Sequence, residues 1–208
     1  MINKTSLAFV VCAALLSGGG AAFAADSGVY VGFGIGTARA SFEGSGVAGG
    51  VPGTAVSNES SAFAGKVYGG YQFNRNIGVE ISIADLGKTD LTVTSAGATT
   101  PGKATINGIG IAAVGSIPSE MGLALFGKLG GFYSALNASA TLNIFNGGTT
   151  AGSREHRFVP NIGVGVTYDM TTKIGVRAEF ERFLKVGSNT TTIETDVNMF
   201  TVGFAYKF

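Results

Sequence analysis

The amino-acid sequence predicts an all-β protein, an eight-stranded antiparallel up-and-down transmembrane β-barrel. Three observations lead there: an N-terminus built for export, apolar residues dispersed in short alternating runs, and a last segment that alternates strictly and stops on an aromatic residue.

Lys4 supplies a short positive region, Leu7 to Leu16 is apolar, and Ala22-Phe23-Ala24 is a small-x-small cleavage site, together the anatomy of a secretory signal peptide. Cleavage is expected between Ala24 and Ala25, leaving a signal peptide over 1–24 and a barrel over 25–208. The apolar run is about ten residues, far short of the roughly 20 that a spanning helix needs. Cys12 lies inside that run, after Val10-Val11, and not where lipid-modification sites normally lie. It is the only cysteine, so the mature chain would enter the oxidising periplasm with no disulfide and no cysteine-based metal site.

Lys4 departs with the signal, which leaves 13 basic residues against 13 acidic ones. A formal charge of zero implies neither nucleic acid nor an acidic surface as a partner. No cofactor or metal pattern is present. The 34 glycines would be costly in helices, at about 1 kcal/mol each. In a narrow, tilted barrel they ease coiling and leave interior room.

Strands are expected at about Val29 to Ala38, Ala62 to Phe73, Ile77 to Leu86 and, less regularly, Thr105 to Gly115. The glycines and alanines of that fourth strand leave either face open for Ile109 and Ile111. A fifth covers Leu123 to Leu136, and in the sixth Phe158, Pro160, Ile162, Val164, Val166 and Tyr168 alternate with Asn161, Gly163, Gly165 and Thr167. In the seventh, Ile174, Val176, Ala178 and Phe180 face outward and Arg177, Glu179 and Glu181 inward. The eighth sets Phe200, Val202, Phe204, Tyr206 and Phe208 against Thr201, Gly203, Ala205 and Lys207, the period-two pattern of a strand with one face in lipid.

Connections alternate in length. Asn74-Arg75-Asn76, Ile117 to Gly122 and Asp169 to Lys173 are short; Arg39 to Ser61, Lys88 to Lys103, Asn137 to Glu155 and Gly187 to Thr195 are longer and rich in Gly, Ser, Thr and Ala. This asymmetry suits short periplasmic turns, long extracellular loops and both termini in the periplasm. The loops have little apolar area and are expected to be mobile.

Several stretches together resemble the OmpA-like small outer-membrane barrels: Val29-Tyr30-Val31-Gly32-Phe33-Gly34, the run from Gly65 to Asn74 followed by Gly78-Val79-Glu80, Phe126-Gly127-Lys128-Leu129-Gly130, and Gly163 to Tyr168 followed by Gly175 to Phe180. The resemblance implies an eight-stranded barrel in the bacterial outer membrane. It does not reach the peptidoglycan-binding domain of full-length OmpA proteins, because the chain stops at Phe208. The enterobacterial OmpA barrel also places charges near what are here Ala113 and Thr167, within an interior salt-bridge gate, so a gate here would be built differently.

Lys66, Lys128 and Arg177 are expected inside the barrel with Glu80, Glu179 and Glu181, and Arg177 is expected to bond Glu80 or Glu179. An eight-stranded barrel is just wide enough to be filled by its own side chains, so such charges cross-link the strands. They read either as a polar plug or as a narrow gated solute or ion path. An enzyme acting on lipid A would need a nucleophile and base in contact. Ser153, Glu155 and the sole histidine, His156, have no nucleophile motif around them and sit at a loop-to-strand junction, so no catalytic residue is assigned.

The expected role is structural or surface-interacting, through extracellular loops that host or phage would meet. The expected partners are outer-membrane lipids, lipopolysaccharide and, during biogenesis, the barrel-assembly machinery. Phe200, Val202, Phe204, Tyr206 and Phe208 look like the signal that such machinery reads. Deleting Phe208 is therefore expected to slow insertion, measured as the fraction of chain reaching the heat-modifiable folded form; unimpaired assembly would remove that role.

Overall fold

The computed structural model describes residues 27–45, 55–95, 98–144, 147–188 and 193–208. The expected signal peptide, with Ala24 and Ala25, lies outside the described residues, as do the tips of the long hairpins. Eight strands follow in order: β1 (Gly28–Ser45), β2 (Ala55–Gln72), β3 (Ile77–Ser95), β4 (Ala98–Pro118), β5 (Leu123–Ile144), β6 (Gly147–Asp169), β7 (Ile174–Ser188) and β8 (Ile193–Lys207). Each pairs antiparallel with its sequence neighbour, and β1 closes on β8 from Tyr30↔Lys207 to Ser41↔Asp196. Closure leaves no strand edge, which hydrocarbon requires because it cannot hydrogen-bond a free N–H or C=O.

Alternation sorts the side chains into two surfaces. Phe33, Ile35, Val67, Ile81, Leu125, Leu129, Ile162, Val164, Phe180, Val202 and Phe204 are exposed on the outer wall, whereas Lys66, Glu80, Lys128, Arg177, Glu179 and Glu181 are buried inside. This is the reverse of a soluble protein and the pattern of a lipid-facing barrel. The register left open by the sequence of β4 is settled by its pairing with β5: Ile109 and Ile111 face outward, and Ile106, Ala112 and Val114 face in.

The short turns are pinned by side chains. Asn74 Oδ1 accepts from the backbone N–H groups of Asn76 and Ile77 at 2.8 and 2.9 Å, and Thr171 Oγ1 accepts from those of Lys173 and Ile174 at 3.2 and 2.9 Å. Between β4 and β5, Gly122 takes φ +75°, a left-handed conformation that suits glycine.

The long connections differ from the sequence expectation. Much of what reads as loop is strand: β1 and β2 stay paired up to Ser45↔Ala55, β3 and β4 up to Ser95↔Ala98, and β5 and β6 up to Ile144↔Gly147. Ser153 and His156 accordingly lie within β6, opposite Ala138 and Ala135, and not at a loop-to-strand junction. The reason is that an antiparallel ladder is made by backbone groups, so Gly/Ser/Thr/Ala segments extend it without apolar alternation once the register is set below. Bulges interrupt the rim, one between Asp85 and Lys88 with Gly87 at φ +85° and one between Phe183 and Val186 with Lys185 at φ +57°.

The hairpin end of the lumen is filled by apolar side chains. Phe132, Phe183 and Met199 are each 1% exposed, the two rings lie 4.7 Å apart, and Leu86, Ile106, Val159 and Val197 pack around them. Phe132 fits only because β4 presents glycine: a Cβ at Gly108 would fall 2.7 Å from its ring. Phe132→Ala is expected to lower unfolding stability by about 3–5 kcal/mol, as buried Phe truncations do. Leu129→Ala, on the outer wall and 67% exposed, should cost much less. Denaturant titration in lipid vesicles, read by the folded gel band, checks the difference.

Candidate functional site

The buried charges come from four strands. Lys66 on β2, Glu80 on β3, Lys128 on β5, and Arg177, Glu179 and Glu181 on β7 are each 6% exposed or less. Position 181 pairs with Gly163 and position 179 with Gly165 on β6, so the wall beside them carries no side chain and the long carboxylates can cross the lumen.

Cations and carboxylates alternate. Lys66 Nζ lies 2.6 Å from both Glu179 Oε2 and Glu181 Oε2. Lys128 Nζ meets Glu80 Oε1 at 2.8 Å, Glu179 Oε1 at 2.7 Å and Glu181 Oε1 at 2.8 Å. Arg177 reaches Glu80 Oε2 through Nη1 at 2.8 Å and Glu179 Oε2 through Nε at 3.1 Å. At 2.7 Å, Glu179 Oε1 and the Lys128 ammonium form a buried, charge-assisted contact.

Aromatic and amide groups complete the layer. The Arg177 guanidinium lies between two rings, 4.5 Å from the Tyr68 centroid and 4.0 Å from that of Phe126, a cation–π arrangement. The Tyr30 hydroxyl donates to Glu80 Oε2 at 3.1 Å, and Asn161 Nδ2 approaches Glu181 Oε1 at 3.5 Å. The sequence reading assigned Tyr30, Tyr68 and Phe126 no role. Tyr68 stands two residues from Lys66, and Phe126 two from Lys128, so inward parity was the available signal.

Below the layer, at the turn end, a cavity of about 430 Å³ opens between Tyr30, Gln72, Phe126, Thr167, Arg177 and Lys207. Above it lies the apolar plug of Phe132, Phe183 and Met199. Thr167 therefore borders the lumen, opposite Arg177 in register. Ala113 is exposed on the outer wall, so no residue at that position could belong to an interior gate, because the neighbouring Ala112 and Val114 take the inward face.

Phe200, Val202, Phe204, Tyr206 and Phe208, the residues expected to form an assembly signal, are all exposed on the outside, and the Phe208 N–H donates to the Val29 carbonyl at 3.1 Å. The His156 ring is exposed and stacks on Tyr133 at 5.7 Å with 8° between the planes. The side chains of Ser153 and Glu155 lie outside the described residues.

Arg177→Leu would remove the cation that faces Glu80 Oε2 and leave Glu80 and Glu179 to the lysines alone; breaking a truly buried pair typically costs about 3–5 kcal/mol. Stability is expected to recover in part when Glu80→Gln is added, because the double-mutant cycle isolates the pair. Additive losses across the cycle would show that Arg177 and Glu80 are not coupled.

Comparison with known proteins agrees with this architecture. The family model of the OmpA-like transmembrane domain matches residues 24–208. No curated protein sequence matches. Among solved structures, Ail of Yersinia pestis, in complex with the heparin analogue sucrose octasulfate, superposes with a TM-score of 0.57 at 16% identity, covering 88% of this chain and 99% of that one. Neisserial surface protein A gives 0.58 at 19%, covering 88% and 99%. OprG of Pseudomonas aeruginosa gives 0.61 at 14%, covering 88% and 97%. At these identities the likeness speaks for the fold alone. With the family model spanning the whole barrel, the chain belongs to the OmpA-like transmembrane domain family of outer-membrane β-barrels.

Proposed function

We propose that this outer-membrane barrel is a closed scaffold that holds long hairpins at the cell surface for interaction, and that it does not conduct. The observation that carries this reading is the double block of the lumen. An ion would have to separate the Lys66, Lys128 and Arg177 pairs and then cross the dry layer of Phe132, Phe183 and Met199. A narrow gated path, the competing reading, would require both layers to rearrange together. Nothing in the geometry favours catalysis at His156, whose ring is engaged by Tyr133.

The turn end is proposed to be periplasmic. The described short turns and the terminal strand residues Gly28 and Lys207 share that end, and the long hairpins leave from the other. On this reading residues 1–24 direct export, and the outward aromatic strand ending at Phe208 is what the assembly machinery engages. A surface-interaction role is of the same kind as that suggested by Ail, whose structure was solved with a heparin analogue. Lipopolysaccharide surrounds the hairpin end, and host or phage surfaces are the partners the hairpins would meet.

Three measurements check the proposal. Purified protein in a planar bilayer is expected to give no discrete conductance; reproducible single-channel steps from the unmodified chain would overturn the closed reading. In intact cells an impermeant maleimide should label Gly50→Cys and leave Thr172→Cys unlabelled, and the reverse would invert the proposed orientation. Replacing 46–54 by a short Gly-Ser turn should weaken cell-surface adhesion while leaving folding intact, and unchanged adhesion would remove that hairpin from the role.

A further inference from the structure

The outer wall of β1, β8 and β7 is apolar in successive rows. Val31, Tyr206 and Ile174 are side by side in register, then Phe33, Phe204 and Val176, then Ile35, Val202 and Ala178, then Thr37, Phe200 and Phe180. The next row toward the hairpins changes character: Arg39, Asn198 and Arg182 stand directly abreast. Arg39 and Arg182 are exposed, and both lie on the outward face.

The height of this row matters. Eight residues separate Val31 from Arg39, which is roughly 27 Å along a strand and, at a tilt of 35–45°, roughly 20 Å across the membrane. An outer-membrane apolar band is about 25 Å tall, so two guanidinium groups sit at its upper boundary. Lipid phosphates occupy that level.

The row is preorganised. Asp196 Oδ2 accepts from Arg182 Nη2 at 2.6 Å and from Nε at 3.2 Å, holding the guanidinium against the wall. Asp196 Oδ1 accepts the backbone N–H of Lys185, the residue at the bulge, at 3.0 Å, which fixes a third exposed cation beside the pair. Asp196 is thus engaged by Arg182 and by the Lys185 backbone, while Arg39 stands across Asn198 from Arg182. Between the arginines, Asn198 Oδ1 is buried and has no hydrogen-bond partner among the described residues. On β3, by contrast, the outward residue above Ile83 is Asp85.

We propose that this row is a binding site for a phosphorylated glycolipid of the outer leaflet. Planar guanidinium groups match a phosphate's paired oxygens. The unpartnered Asn198 oxygen would accept from a sugar hydroxyl or amide N–H. Below the cations, the aromatic rows of Phe200, Phe180, Phe33 and Phe204 give acyl chains a surface. That continuity selects a lipid over a free sugar phosphate. The site rests on the proposed orientation of the hairpins, but binding to it in detergent does not depend on which way the barrel was inserted.

The test is native mass spectrometry of the full mature chain in detergent, titrated with bisphosphorylated lipid A, the same lipid after phosphatase treatment, phosphatidylglycerol and soluble glucosamine phosphate. The unmodified protein is expected to retain the bisphosphorylated lipid at least tenfold better than the other three. Arg39→Gln/Arg182→Gln should abolish that preference, while Lys173→Gln, at the turn end, should keep it. Because losing Arg182 also releases Asp196, Arg39→Gln alone provides a second variant, expected to weaken retention severalfold with the rim ion pair intact. Equal retention by the arginine variants would overturn the site. So would equal retention of phosphatidylglycerol or of the dephosphorylated lipid, and tight binding of the soluble sugar phosphate would make it a glycan site instead of a lipid one. Failure here leaves the maleimide labelling pattern unaffected, so the site and the orientation fail separately.

Discussion

The pairing of β1 with β8 is the contact on which everything else depends. Lipid offers no hydrogen bonds, so a sheet can sit in it only when its first and last strands satisfy each other. Ring closure with eight strands sets a bore about one layer of side chains wide. That width dictates what the inward positions carry. Glycine must stand opposite the large groups, as Gly108 does for Phe132, and the remaining polar side chains are forced within ion-pair distance of one another.

The ion-pair layer follows from that confinement. Removing six charges from water is expensive, and mutual attraction compensates only when nearly every charged atom meets an opposite one. The layer satisfies this condition by sharing: each carboxylate touches two or three cations, and Arg177 adds two aromatic faces. Such a network contributes specificity of register more than net stability. A one-residue slip of β7 would turn Arg177, Glu179 and Glu181 outward into hydrocarbon, a far larger penalty than the loss of any single bond.

The lumen is thereby divided by depth. A vestibule of about 430 Å³ at the turn end gives way to charge and then to an apolar plug, an order that fills the hairpin end of the lumen with packed side chains. The outer wall is graded too, with aliphatic and aromatic rows capped on one side by cations, and the inner and outer gradations share one register.

Much of this was legible in the residues because a strand has a period of two. Alternation in β7 and β8 told which side chains share a face, and a ring of such strands in an exported chain leaves only one medium for the apolar face. Composition misled in one place. Gly/Ser/Thr/Ala stretches beyond Ala38 and Leu136 read as loops, yet the backbone ladder continues through them to Ser45 and Ile144 because it depends on N–H and C=O groups that every residue carries. What the sequence by itself determined was therefore facing: which residues meet lipid and which meet the lumen. Which lumen residues meet each other was decided by tertiary structure alone. Glu80 and Arg177 are 97 residues apart, and Lys66 and Glu181 are 115 apart; nothing local relates them. The β4 register, the Phe132–Phe183 plug and the Arg39–Asn198–Arg182 row share that origin. Each is assembled across strands, and their relative heights are set only when the sheet closes with its tilt and stagger in place.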